Sequence, residues 1–149
     1  MIKWIYKGIE IENISDFPDG SFGFIYIITH LPTKKKYIGK KILNFTRKVK
    51  LGKKELKKYE GVVGRKPSFK ISIKESDWKN YWGSNKELQK LIKIEPPENW
   101  DKQIIKIAPT KKLLTYYETK YLFTHQVLEN PKEFWNDNIL GKFFTKDFD

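Results

Sequence analysis

The chain has 149 residues, of which 39% are hydrophobic, with 5 Trp, 8 Tyr and 10 Phe; this fits one domain with a packed core and excludes an intrinsically disordered chain. It contains no cysteine, which excludes disulfide bonds, thiolate–zinc sites and cysteine nucleophiles, and it shows neither a signal peptide nor an apolar run of the roughly 20 residues that cross a bilayer, so we expect a cytoplasmic protein. The net charge is +12, and residues 34–74 hold sixteen basic and two acidic side chains, a net charge of +14, so the rest of the chain carries −2.

The first part of the chain is predicted to form strands. Short apolar stretches at 4–6 and 9–11 flank Lys7 and Gly8, and they are followed by turn-forming residues. Residues 23–29 are rich in β-branched and aromatic side chains, and a turn separates them from a second such stretch at 35–39. These two stretches predict a β-hairpin.

The basic part of the chain gives weaker signals. Residues 40–48 are predicted to begin a helix, while residues 49–75 show no clear period and are predicted to be a basic insertion.

The last part of the chain alternates helix and strand signals. Ser84 is predicted to cap a helix together with Glu87, and this helix should end near Pro96. Residues 102–108 suit a strand, and a longer amphipathic helix is predicted from Thr110 onward.

These elements predict an α+β fold with a small central antiparallel or mixed β-sheet flanked by helices. We expect a single domain over residues 1–149, with an N-terminal β extension at 1–21 and the basic insertion at about 49–75.

The basic block indicates contact with a polyanion. Each phosphate that a Lys or Arg neutralises releases counterions, which is the main sequence-independent source of affinity for nucleic acids. A solvated, lysine-rich loop that only raises solubility is the alternative. A membrane surface is disfavoured because glycines and a proline interrupt any long amphipathic helix there. The candidate nucleic-acid-binding residues are Lys40, Lys41, Lys53, Lys54, Lys57, Lys58, Arg65 and Lys66.

One carboxylate lies on an apolar helical stripe. Leu114, Glu118 and Leu122 are four residues apart, so they share one face of the predicted helix. Glu118 is either a boundary glutamate paired with a base such as Lys111, or a functional carboxylate.

Two segments resemble the paired signature of the GIY-YIG endonucleases. They are Gly23-Phe24-Ile25-Tyr26 and, with its tyrosine eleven residues later, Tyr37-Ile38-Gly39; the glycine of the first segment comes one place before the family triplet. Arg47 matches the arginine on the first helix of the family, Glu118 the glutamate on its later helix, and Asn136 its asparagine. Residues 76–84 also resemble a stretch of small phage-encoded members, so the resemblance covers about residues 22–142.

The resemblance implies a metal-dependent DNA endonuclease. It implies that Glu118 holds one divalent cation, Mg²⁺ or Mn²⁺, and that Tyr26 accepts the proton of the attacking water directly or through Tyr37. For this, the pKa of the phenol must be lowered by positive charge, which Lys40, Lys41 and the metal could supply. It further implies that Arg47 forks onto phosphate oxygens and that Asn136 orients a phosphate or supports the site.

The chain departs from the family at one position. Many members have a histidine a short way after the arginine, whereas Leu51 stands at the fourth position after Arg47. Tyr59 or a lysine of the insertion is a candidate replacement. The only histidines are His30 and His125, so a histidine–metal nuclease is disfavoured.

Two other functions are weighed against this one. A PD-(D/E)xK nuclease would use Asp101 with Glu118 and Lys120, but that signature needs a strand where the spacing predicts a helix. A nucleic-acid-binding module with the same fold and no catalysis would use the same basic block, with Tyr59 and Phe69 available for stacking.

The resemblance also has implications for the partners and the biological role of the protein. The resemblance implies double-stranded DNA as the partner, a possible homodimer on DNA, and a phage-encoded protein acting in a bacterial host cell. We expect target choice to come from residues 40–82, the termini or a partner. Homing, restriction-like cutting and degradation of a host genome stay open, as do RNA and branched DNA as substrates.

Overall fold

The computed structural model describes residues 2–61 and 64–149. The chain divides into two compact units: a first unit of Met1–Leu43 with Asp77–Asp149, and a second unit of Asn44–Ser76. The predicted insertion at about 49–75 falls within the second unit, and its residues 62 and 63 lie outside the described residues. Among the helices of the described part, none is long and apolar enough to cross a membrane.

The elements that the structure describes follow one another along the chain in this order. The strands are β1 (Trp4–Tyr6), β2 (Ile9–Ile11), β3 (Gly23–His30), β4 (Lys36–Ile42), β5 (Asn44–Lys50), β6 (Phe69–Glu75), β7 (Trp100–Ala108), β8 (Asn138–Ile139) and β9 (Phe143–Phe144). The α-helices are α1 (Lys53–Lys57), α2 (Lys86–Ile94) and α3 (Lys111–Thr124).

A five-stranded mixed sheet forms the centre of the first unit. Its strand order is β2-β1-β7-β3-β4, and only the pairing of β1 with β7 is parallel. Strand β4 is therefore an edge of the sheet. With the helices, this architecture confirms the predicted α+β fold with a mixed sheet.

The sheet carries a packed layer on each face because its residues alternate sides. Phe24, Tyr26 and Ile28 of β3 pack into a cluster rich in tryptophan, which also includes Leu88 of α2. Ile25, between them in sequence, packs on the other face with side chains of α3 and the residues after it. The residues of α3 in that cluster are Leu114 and Leu122.

Most of the predicted elements of the first unit are confirmed. Strands 4–6 and 9–11 have the predicted bounds, and the hairpin forms as β3 and β4. Helix α3 begins where predicted, with Thr110 as its cap: the Leu113 N–H donates to the Thr110 hydroxyl at 3.1 Å. It ends at Thr124, before Gln126 takes a positive φ of 52°.

Two details of the prediction are wrong. Residues 40–48 form no helix, because β4 runs to Ile42 and β5 begins at Asn44, where its backbone pairs with β6. The cap of α2 is Asn85, whose side chain accepts the Leu88 N–H at 3.0 Å, and not Ser84. The Ser84 hydroxyl is instead 3.1 Å from the Tyr37 hydroxyl.

The second unit consists of an antiparallel ribbon of β5 and β6 with the short helix α1 between them. Among the described residues of this unit, Leu51 alone is buried, and its N–H donates to the Ser68 carbonyl at 3.1 Å. Glu55 of α1 forms an ion pair with Lys70 of β6. Residues 49–75 thus show no single hydrophobic periodicity because several short elements follow one another there.

One lysine lies in the core of the first unit. Lys102 is buried, and its ammonium nitrogen lies 4.0 Å from the ring centroid of Trp4 and 4.4 Å from that of Trp82. Within the described residues, the nitrogen has no hydrogen-bond partner. Burial lowers the pKa of Lys102 to about 7, because the charged form loses its hydration.

We expect Lys102 to make stability depend on pH. The unfolded chain, with an ordinary lysine pKa of 10.5, binds more protons than the folded chain between pH 7 and about 10. The free energy of unfolding should therefore rise with pH in this window, by up to about 1.4 kcal/mol per pH unit. Lys102→Met should be more stable at pH 7 and lose this rise, which urea denaturation at several pH values would measure. Parallel curves for the two proteins would contradict the prediction.

Candidate active site

The edge of the central sheet is held in place by an asparagine side chain. The Ile38 N–H donates to Asn136 Oδ1 at 3.0 Å, and Asn136 Nδ2 donates to the Ile38 carbonyl at 2.7 Å. Asn136 is buried, and its amide makes the pair of hydrogen bonds with Ile38 that a neighbouring strand would make. The contact fixes the backbone between Tyr37 and Gly39.

The carboxylate of Glu118 meets the same edge two residues further along β4. The Lys40 backbone N–H donates to it, and the Lys40 ammonium lies 3.8 Å from Oε1. The side chain of Glu118 is 19% exposed. Burial raises the pKa of Glu118, and the two contacts with Lys40 oppose this rise. Glu118 is therefore a partly buried carboxylate at the rim of the sheet, with one lysine nearby.

Three tyrosines cluster on the opposite face of the sheet. The ring centroid of Tyr26 lies 6.3 Å from that of Tyr37 and 6.0 Å from that of Tyr81. The hydroxyls of Tyr26 and Tyr81 are hydrogen-bonded to each other, and the Ser84 N–H and hydroxyl both contact the Tyr37 hydroxyl. Tyr26 is 1% exposed, whereas Tyr37 is only partly buried. Tyr37 is thus the more accessible of the signature tyrosines.

Two glycines make room for these rings. Gly39 lies directly opposite Tyr26 in the strand pairing, and a Cβ there would be 2.3 Å from the Tyr26 hydroxyl oxygen. Gly83 has a φ of +84°, and a Cβ there would be 2.8 Å from Cε1 of Tyr37. A side chain at either position would displace a tyrosine.

We expect Gly39→Ala to destabilise the first unit. The added methyl group must move the buried Tyr26 ring, so the free energy of unfolding should fall by about 1–3 kcal/mol. Gly52→Ala is the control, since a Cβ at Gly52 meets nothing within 4 Å. Urea denaturation followed by tryptophan fluorescence measures the difference, because all five tryptophans lie in the first unit. Equal stability of the two variants would contradict the prediction.

The electrostatic setting of the tyrosines differs from the prediction. Burial raises the pKa of Tyr26 well above 10, and the neighbouring Tyr37, Tyr81 and Glu118 raise it further. Burial also raises the pKa of Tyr37, with the Ser84 hydrogen bonds opposing this. The predicted lowering of the Tyr26 pKa by the two lysines is therefore wrong for the protein alone.

The two lysines themselves lie close to carboxylates. The Lys41 ammonium is 2.6 Å from Asp77 Oδ1 and 4.0 Å from the ring centroid of Tyr81. The Lys40 ammonium lies near Glu118 and donates to the Thr115 hydroxyl at 3.2 Å. Negative charge thus accompanies both lysines.

The other predicted site residues lie in the second unit. Arg47 is exposed on strand β5, so its predicted place on a helix is wrong: residues 44–50 pair with β6 and extend. Tyr59 follows α1. The remaining candidates are exposed on α1 or after it: Lys53, Lys54, Lys57, Lys58, Arg65 and Lys66.

The arrangement disfavours the other nuclease classes. Glu118 and Lys120 lie on helix α3, where residues two apart point to different sides, so they cannot form a PD-(D/E)xK pair with Asp101. Both ring nitrogens of His30 are engaged, by the Thr33 hydroxyl and the Glu95 carboxylate. No group of three or more His, Cys, Asp or Glu in the described residues could hold a metal.

Sequence reasoning missed three contributors to the site. Tyr81, Gly83 and Ser84 bring a hydroxyl, a close backbone approach and a hydrogen bond to the signature tyrosines. All three fall in the segment 76–84 that resembles small phage-encoded members. That segment was the available signal, although it assigned no role to any single residue.

A cavity opens beside Tyr37. It has a volume of about 740 Å³, and polar side chains from β4, α2 and the segment around Asn136 line it. Two lysines, Lys35 and Lys86, and two carboxylates, Glu87 and Asp137, stand among them. The cavity is large enough for a nucleotide-sized group.

Comparison with known proteins adds one finding. The family model described as "Putative endonuclease segE, GIY-YIG domain" matches residues 4–139 of the chain. No curated protein and no solved structure gives a significant match.

Proposed function

The chain belongs to the GIY-YIG endonuclease family, and from this premise we propose that it is a metal-dependent endonuclease that hydrolyses phosphodiester bonds of double-stranded DNA. The observation that carries the proposal is the edge of β4. There Glu118, Asn136 and Tyr37 meet within one short stretch of backbone, and Tyr26 lies opposite Gly39 of the same stretch. The match of the family model to residues 4–139 also supports the resemblance of residues 22–142 to the family.

The residues present fit a divalent cation at Glu118. Mg²⁺ commonly takes one or two carboxylates and completes its shell with waters and substrate phosphates, so a single partly exposed carboxylate suffices. Burial raises the pKa of Glu118, and a bound cation would favour its charged form. When bound, Mg²⁺ or Mn²⁺ would neutralise charge on the phosphate and bring positive charge near the tyrosines.

The two signature tyrosines take different parts in this proposal. Tyr37 is accessible from the cavity and would contact the attacking water. The buried Tyr26 would lose its phenolic proton to solvent when a cation is bound, and would then accept the proton of the attacking water through Tyr37. Asn136 keeps Tyr37 in place through the backbone of Ile38. It is a positioning residue, since both ends of its amide are engaged there.

Basic side chains of each unit, taken separately, are candidates for binding phosphates of the DNA. Lys35 and Lys86 line the cavity beside Tyr37 and would hold the strand next to the scissile bond. Arg47 of the second unit would fork onto phosphate oxygens, as guanidinium groups do in two parallel hydrogen bonds. The second unit carries eleven basic and three acidic residues, a net charge of +8.

We expect the lysines around α1 to contribute to affinity for DNA through phosphate contacts. Replacement of Lys53, Lys54, Lys57 and Lys58 by Gln should weaken binding and flatten its dependence on salt. The slope of log K against log salt should fall by about 0.9 for each phosphate that is no longer neutralised. The measurement is the Kd for duplex DNA at several salt concentrations. The control replaces four exposed lysines of the first unit, namely Lys90, Lys93, Lys112 and Lys142. A slope unchanged by the first set would remove α1 from the interface.

The proposal is tested with closed circular substrates, which only an endonuclease can open. Double-stranded DNA, single-stranded DNA and RNA circles are incubated with the protein, with and without Mg²⁺ or Mn²⁺. We expect metal-dependent opening of the double-stranded circle. Binding to the circles without opening of any of them would favour the non-catalytic nucleic-acid-binding module.

A further inference from the structure

The β5–β6 ribbon carries an apolar row on one face. In its antiparallel register Phe69 lies opposite Lys50, and Ile71 opposite Lys48. Ile73 lies opposite Thr46. Residues directly opposite each other point to the same side of a ribbon, as do residues two apart. Phe69, Ile71 and Ile73 therefore form an apolar row beside a polar, basic row of Thr46, Lys48 and Lys50.

The apolar row is open to solvent. Phe69 is 56% exposed, Ile71 is 70% exposed and Ile73 is 68% exposed. Contiguous exposed apolar side chains are uncommon in soluble proteins and mark surfaces that meet a partner. A solvated ribbon needs no isoleucine at such positions, so the row points to an apolar contact made on binding.

Charge identifies the class of partner. The second unit carries +8, and Lys48 and Lys50 stand beside the row. A second copy of this chain placed on the row would bring like charges together, which is unfavourable. A polyanion that also offers apolar groups would satisfy both rows. Duplex DNA does so, since each thymine carries a C5-methyl group in the major groove.

The dimensions of the ribbon fit this groove. Each strand has seven residues, so the ribbon is about 23 Å long, roughly the length of 7 base pairs. The major groove of B-DNA, about 12 Å wide, admits a two-stranded β-ribbon. The major groove of duplex RNA is too narrow and deep for side chains to read.

A basic groove continues the ribbon. It has a volume of about 490 Å³ and is lined by the start of β6 together with Lys48, Arg65 and Lys66. These side chains would contact phosphates at the wall of the DNA groove. Arg47 lies on the opposite face of the ribbon, so this contact does not use it.

We propose that the β5–β6 ribbon lies in the major groove of duplex DNA, with the apolar row against thymine methyl groups and with Lys48 and Lys50 next to phosphates. This inference rests on the proposed function and deepens it. The ribbon is the element that chooses the target sequence, and it favours thymine at the contacted positions.

The test uses full-length protein in EDTA, so that binding is measured without cutting. The probes are an alternating dA–dT duplex and an alternating dA–dU duplex, which differ only in the thymine methyl groups. The protein should bind the first more tightly, by about fourfold for each methyl group contacted. Ile71→Ser combined with Ile73→Ser should keep only the part of the preference that Phe69 contributes, with an unchanged salt slope.

Two further variants serve as controls for the double Ser variant. Ile71→Val combined with Ile73→Val retains apolar, β-branched side chains and should keep the preference for the dA–dT duplex. Ile94→Ser removes an isoleucine that is 78% exposed in the first unit and should also keep it. Circular dichroism of each variant reports whether the ribbon still forms.

The outcomes separate this inference from the proposed function. Equal binding of both duplexes by the unchanged protein, or a preference that the double Ser variant keeps in full, would overturn the inference. So would competition by duplex RNA at the same concentration, or a dimer that the Ser variant dissociates. A protein that prefers thymine methyl groups but never cuts would overturn the endonuclease proposal alone.

Discussion

Glu118→Gln is expected to remove cutting of DNA while folding and DNA binding stay nearly intact. The substitution keeps an oxygen that accepts the Lys40 N–H and removes the negative charge that a divalent cation requires. Loss of the several kcal/mol that a metal contributes to the transition state corresponds to a rate lower by about 10³-fold. Single-turnover cutting, DNA binding and urea denaturation, measured side by side, separate the three properties.

The control for this prediction is Glu129→Gln, an equal change at an exposed glutamate after α3. It should cut at the rate of the unchanged protein. Loss of folding in Glu118→Gln would make Glu118 a structural residue of the sheet edge. Retention of cutting would remove it from the active site.

Tyr26→Phe is expected to lower the cutting rate by about 10²–10⁴-fold, the range that a positioned proton acceptor contributes. The ring keeps its packing against Trp4 and Tyr37, and only the hydrogen bond to Tyr81 is removed. The free energy of unfolding should therefore change by no more than about 1.5 kcal/mol. Single-turnover cutting at saturating protein measures the chemical step.

The control here is Tyr6→Phe, which changes a partly buried tyrosine of β1 that is not part of the cluster of Tyr26, Tyr37 and Tyr81. It should cut normally. A Tyr26→Phe protein that cuts as fast as Tyr6→Phe would make Tyr26 a packing residue only. If the Tyr26→Phe protein fails to fold, the loss of cutting comes from a disrupted core and not from a lost proton acceptor. Gly39→Ala disturbs the same ring.

The sequence carries enough information to predict the central sheet. The continuous run of β-branched and aromatic residues within 23–29 matches a strand buried on both faces, and the turn at 30–33 determines its pairing with β4. Tyr26 and Tyr37 therefore come close in space through local structure alone. Glu118 is predictable for a related reason, since its helical spacing from Leu114 and Leu122 fixes the face it shares with them.

The site residues that depend on distant contacts were less predictable. Asn136 contacts Ile38 across 98 positions of the chain, and no local pattern encodes such a pair. Tyr81 lies beside Tyr26, and the nearby Gly83 has a positive φ and a close approach to Tyr37 and Tyr26 that no local pattern predicts. Ser84 is an ordinary capping residue by type, but its hydroxyl contacts Tyr37 and leaves the cap to Asn85.

The second unit shows where the family resemblance misleads. The resemblance places Arg47 on a helix, but Arg47 lies in a strand because residues 69–75 supply a pairing partner further along the chain. The basic charge of this segment was visible in the sequence, whereas the ribbon that arranges it was not. The prediction that Arg47 binds phosphate stays a prediction.

The most direct measurement of the central claim is the fate of a supercoiled plasmid incubated with the protein. The reaction is run with Mg²⁺, with Mn²⁺ and with EDTA, and Glu118→Gln is run beside the unchanged protein. We predict nicked or linear DNA with either metal, and intact plasmid both in EDTA and with Glu118→Gln. Cutting that persists in EDTA or in Glu118→Gln, or plasmid that is bound but stays supercoiled with both metals, would contradict a metal-dependent endonuclease whose carboxylate is Glu118.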